Sequence, residues 1–134
     1  MIVKALIELG YASCKWRVRN EEIYENLLWL DDNTKKPTEE EINTKIQELK
    51  NAEPMRLLRE ERNRRLQETD WEMMRNAERD INNDELIKYR NDLRDLPALV
   101  EDQMTVDESN RNSALVPTIE NGQLVFGSWP TKPE

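Results

Sequence analysis

Histidine is absent from this 134-residue chain, cysteine occurs once and glycine three times. Without histidine the usual general base of serine and cysteine hydrolases and the commonest zinc ligand are missing, which removes nucleophilic triads and His-containing metal sites. Cys14 has no partner for an intrachain disulfide, and a reducing compartment is the simpler expectation. Long apolar runs are lacking too. The opening MIVKALIELG is broken by Lys4 and Glu8, too short and too charged for a signal peptide or a membrane span. A soluble chain with no membrane partner and no cofactor is expected.

What is present is charge. Charged residues make up 36% and apolar residues 37%, enough for a small core that a partner surface would help to complete. The net charge of -8 disfavours phosphate backbones and anionic lipid at long range, so nucleic acid is not an expected partner. Residues 98–134 hold 2 basic and 6 acidic side chains, so the acidity is concentrated there. Among 28 carboxylates close pairs are inevitable. Asp31-Asp32 and Asp92-Asp95 therefore read as solvated charge or caps rather than acid/base dyads.

The pattern predicts an α+β, mainly helical fold in three parts: 1–36, an N-terminal short helix and β-hairpin; 37–97, a helical region; and 98–134, an acidic extended segment. Ile2, Ala5, Leu6 and Leu9 at helical spacing before Gly10 give the short helix. Cys14, Trp16 and Val18 alternate with Lys15, Arg17 and Arg19 as one strand over Ser13–Asn20. Ile23–Leu30 gives its partner, with Trp16 and Trp29 available to one core. Thr38 and Glu41 form a capping-box pair ahead of Ile42, Ile46 and Leu49. Pro54 is expected to kink that helix or start a new one, carrying Met55, Leu58 and Leu66 to about Gln67 with Glu60–Arg64 and Glu61–Arg65 pairs. Thr69-Asp70-Trp71 should end it, with Trp71 against the helices and 72–82 a loop or short turn. A further helix from an Asn83 or Asp84 cap presents Leu86, Tyr89, Leu93 and Leu96 until Pro97, packing as a helical hairpin. Asn121-Gly122 predicts a small β-hairpin in the C-terminal segment.

Most singled-out residues have a plain reading. The arginines at 56, 59, 62, 64 and 65 alternate with Glu60, Glu61 and Glu68, as on a solvated, salt-bridged helix. Arg62 differs, lying on the stripe of Leu58 and Leu66, and is expected to pair with Asp70 or Asp95. Trp71 and Tyr89 are expected in the core and Cys14 as a buried thiol. Trp129, in a Pro-bounded terminal segment, is the aromatic assigned to a partner surface, and Pro130, Phe126 and Trp29 are the further partner-binding candidates.

Leu58-Arg59, Glu61-Arg62, Leu66 and Thr69-Asp70-Trp71, then Tyr89-Arg90 and Leu93-Arg94-Asp95-Leu96-Pro97, with Trp129-Pro130-Thr131-Lys132-Pro133 at the end, resemble the phage tail assembly chaperone family. Trp29-Leu30-Asp31 followed by Lys36-Pro37-Thr38-Glu39 and Ile42 resembles the short N-terminal domain of small prophage tail-cluster proteins. A long acidic insertion between Pro97 and the terminal Trp-Pro departs from the pattern and leaves direct packing of the terminus on the helices an open expectation. The resemblance implies a non-enzymatic protein that binds a phage tail or tail-fibre polypeptide in the bacterial cytoplasm, as assembly chaperone or adaptor. A permanent component of the virion tail is its alternative, and a homo-oligomer is compatible with either. Two readings from other classes are a small carboxylate-dependent enzyme and a host-directed adaptor or inhibitor.

Overall fold

The computed structural model describes residues 1–134. They form two compact units, Met1–Ala52 and Glu53–Glu134. The elements are α1 (Ile2–Glu8), β1 (Trp16–Val18), β2 (Leu27–Trp29), α2 (Glu39–Glu78), α3 (Asp84–Met104), β3 (Thr118–Glu120) and β4 (Gln123–Val125). The architecture is α+β and mainly helical, with two separate two-stranded antiparallel sheets.

In the first unit Ile2, Ala5 and Leu6 of α1 meet Leu27 and Ile42, with Trp16, Trp29, Ile46 and Leu49 packed around them. Gly10 at φ +94° closes α1 as the sequence predicts: its N–H donates to Ile7 O and that of Tyr11 to Leu6 O, both at 3.0 Å. This is the Schellman pattern, which satisfies orphan carbonyls at a helix end. The β1–β2 register sets Trp16 opposite Trp29. Both strands are shorter than the sequence pattern, because Tyr24–Asn26 forms a 3-10 turn whose Tyr24 hydroxyl donates to Pro37 O at 3.0 Å. The capping box of α2 forms reciprocally, Glu41 N to Thr38 Oγ1 and Thr38 N to Glu41 Oε2, each 3.1 Å. Asp31 accepts backbone N–H bonds from Lys15, Asn33 and Thr34, which hold its carboxyl below the usual range. It is a turn-forming carboxylate.

The second unit is an antiparallel helical hairpin. Met55 and Leu58 of α2 pack on Leu96 and Val100 of α3, and Leu66 and Met73 pack on Leu86, Tyr89 and Leu93. The sequence places breaks in both helices, and neither forms. Proline's fixed φ is itself helical, so Pro54 and Pro97 each remove one hydrogen bond, at about 3 kcal/mol in a helix interior. Around Pro97 that cost is met by burial: Leu96, Pro97 and Val100 extend the stripe of Leu86, Tyr89 and Leu93. The helix consequently reaches Met104, and residues 98–104 are not extended. Around Pro54, burial of Met55 and Leu58 and the pairing of Arg56 with Glu53 at 2.5 Å hold the helical path.

Thr69-Asp70-Trp71 does not end α2 either. Leu66, Thr69 and Met73 form its inward stripe, and Trp71, two residues past Thr69 and about 200° around the helix, points away. The actual stop is Asp80 at φ +55°, with Ile81 N donating to Asn76 O at 2.8 Å. This is a second Schellman pattern, carried by Asp rather than Gly. Asn83 does not cap α3 with its side chain. Its amide bridges Met73 O and Asn76, and Asn82 Oδ1 accepts from Asp84 N at 2.7 Å instead. The Asn121-Gly122 turn forms, both residues at positive φ, joining β3 to β4.

Candidate functional site

The second unit gathers three features on and around α2. The first is the pin between the helices. Arg90, whose side chain is only 12% exposed, donates to Thr69 Oγ1 at 2.5 Å and Leu66 O at 2.8 Å, and pairs with Asp70 at 2.8 Å. Thr69 is wholly buried, and its hydroxyl also bonds Leu66 O at 2.9 Å. Arg62 was the expected partner of Asp70 or Asp95, and it pairs with neither. Its buried Nε has no hydrogen-bond partner. The guanidinium that reaches Asp70 comes from α3, a partner that spacing within α2 cannot reveal.

The second feature is the C-terminal segment. Trp129 packs against both helical clusters, edge to face with Phe126 at 5.2 Å, and Arg65 lies over its ring at 4.2 Å. The insertion after Pro97 therefore does not keep the terminus off the helices. Glu61 holds Arg65 at 3.0 Å and also binds Arg64 at 2.6 Å. The Arg64 guanidinium, then burial in opposition, then Arg65 set its carboxyl, whose pKa falls from 4.5 to about 2. Of the expected helix pairs, Glu61–Arg65 forms, whereas Glu60 pairs with Arg56 and Arg64 with Glu68. Lys132 reaches Glu72 at 2.5 Å, and that carboxylate raises the lysine's pKa.

The third feature is an outward apolar face. Trp71 is 64% and Met74 65% exposed, one helical turn apart, so they share a face of α2. Arg75 stacks over the Trp71 ring at 4.8 Å. The expectation of Trp71 in the core is thus corrected, while Tyr89, Leu58 and Leu93 are buried as expected and Leu66 packs on Tyr89 and Leu93. Asp95 is exposed. Of the four tryptophans, Trp29 is engaged by Tyr11 at 5.5 Å and Thr34 O at 2.7 Å, Trp16 by Tyr11 O, and Trp129 as described. Pro130 is half-buried beside Trp129. Trp71 alone presents most of its ring outward.

No group of three or more acidic or thiol side chains is arranged to hold a metal ion. No helix is long and apolar enough to cross a membrane. No curated protein and no solved structure matches the chain. A protein-family model described as phage tail assembly chaperone protein matches residues 55–134, nearly all of the second unit and more than half of the chain. The match takes in the pinned helical hairpin, the Trp71 face and the Trp129 segment, and by it this chain belongs to the phage tail assembly chaperone family, with a role in tail assembly.

Proposed function

We propose that the chain acts without catalysis, by binding a tail or tail-fibre polypeptide on the Trp71–Met74 face of α2 and covering apolar surface on that polypeptide until it assembles. The observation that carries this is the pair of large apolar side chains left outward on a helix whose opposite face packs on α3. Tryptophan and arginine dominate binding energy at protein interfaces. Methionine is flexible and polarizable, suited to irregular apolar surfaces. The charged residues around the pair keep the free chain dispersed.

Co-purification of the full chain with each tail protein encoded nearby tests the reading. Trp71→Ala should abolish capture while leaving the helix content intact, because the ring touches little of the core. Undiminished capture would remove this face from the function. Analysis of purified particles separates the modes: absence of the chain fits a transient chaperone, and a fixed stoichiometry makes it a permanent tail component.

A further inference from the structure

The segment Gly127–Glu134 has no regular secondary structure and makes no backbone-to-backbone hydrogen bond. Side chains alone hold it: Ser128 Oγ on Ala114 O at 2.5 Å, Trp129 on the helical hairpin, and Lys132 on Glu72 at 2.5 Å. The geometry follows from helix and chain dimensions. Three extended residues, Trp129 to Lys132, advance about 10 Å. Seven helical residues, Arg65 to Glu72, rise about 10.5 Å. The strap therefore runs along α2 in register, with an aromatic under Arg65 and a cation at Glu72. Pro133 and Glu134 continue beside Glu72, Arg75 and Asn76.

A site read by two side chains, with no backbone ladder, accepts any extended segment that carries them at that spacing. We propose that the strap's seat on α2 is a peptide-binding site for a partner polypeptide with an aromatic residue followed three positions later by Lys or Arg, and that the chain's own C-terminus is its resident occupant. Charge complementarity selects the cation, since Glu72 accepts from Lys132 Nζ at 2.5 Å. An open groove of about 480 Å³, lined by Leu57, Glu60, Arg64 and Leu124 and walled on one side by Trp129 itself, continues from the aromatic seat and lengthens the surface open to a partner. A second copy's strap would only exchange identical contacts against a tethered competitor at millimolar effective concentration, whereas a partner segment that runs on from the aromatic into the adjoining groove adds contacts the strap lacks. Gly127, where an added Cβ would meet nothing within 4 Å, is where the strap would swing away. This site borders the Trp71 face through Glu72 and Arg75, but its own contacts are to Trp129 and Lys132, so its test reads separately from capture on Trp71.

The test uses the full chain and a labelled synthetic peptide of Gly127–Glu134 as probe. Trp129→Ala empties the aromatic seat and should bind the peptide at least about tenfold tighter than the wild-type chain, whose strap competes. A peptide carrying Lys132→Glu should bind that variant about tenfold more weakly, and adding Glu72→Lys to the chain should restore it. Should Trp129→Ala not fold, Lys132→Glu in the full chain loosens the strap while keeping its indole, and should likewise gain peptide binding. No saturable binding by a variant with native helix content, or indifference to the charge exchange, would overturn the proposal. So would wild-type dimers that dissociate on Trp129→Ala, which would make the second copy the occupant.

Discussion

The two compact units secure small cores under charged surfaces with different chemistry. In Met1–Ala52 the aromatic polar heads donate to backbone carbonyls: Trp16 to Tyr11 O, Trp29 to Thr34 O and Tyr24 to Pro37 O. In Glu53–Glu134 cationic groups do this work: Arg90 on Asp70, Lys132 on Glu72, and Arg65 over the Trp129 ring. Neutral bonds of the first kind fix a loop-rich fold, and salt screens them little. Ionic contacts of the second kind draw together segments distant in sequence, and they are weaker where exposed. The family match lies wholly in the second unit, which also carries the outward tryptophan.

The largest way to break the comparison is to remove a wholly buried side chain. Leu93→Ala should destabilise by about 2–5 kcal/mol in urea unfolding, with amide protection falling first in α3 and β1–β2 serving as the control. Arg90→Ala should cost about 1–3 kcal/mol, because Thr69, Asp70 and the Leu66 carbonyl lose a shared donor. Arg90→Lys should recover only part, since one ammonium cannot reproduce the fork. In the first unit, Thr38→Ala should cost about 1 kcal/mol by opening the capping box, with less dependence on salt than Arg90→Ala.

Acid gives the smallest effect and a definite sign. The pKa of Glu61 is depressed when folded, so its contribution is fully present above 4.5 and is lost as pH falls from there towards about 2. Glu61→Gln should flatten the melting temperature over that window, and an unchanged slope would show that the Arg64 and Arg65 contacts contribute nothing.

Features set within a few residues were legible in the sequence. The Thr38–Glu41 box, the Gly10 stop and the Asn121-Gly122 turn each depend on neighbours three or four positions apart. The core stripe of α3 was legible for the same reason. What misled was anything settled across the hairpin. Two prolines and the Thr69-Asp70-Trp71 triplet look like breaks locally, yet burial of Met55, Leu58, Thr69 and Val100 against the opposite helix carries the backbone through them. That continuity rotates Trp71 outward and gives Asp70 to Arg90 rather than Arg62. The seat of Trp129 was hidden likewise, because no local pattern links a terminal Trp-Pro to Arg65 and Leu66.

The central claim, that the outward face of α2 receives the tail polypeptide, is tested most directly by oxidative footprinting of the full chain with and without its co-purified tail partner. Oxidation of Trp71 and Met74 should fall sharply in the complex while that of Trp29 stays level. Unchanged oxidation of Trp71 and Met74, with protection confined to residues 1–52, would contradict it.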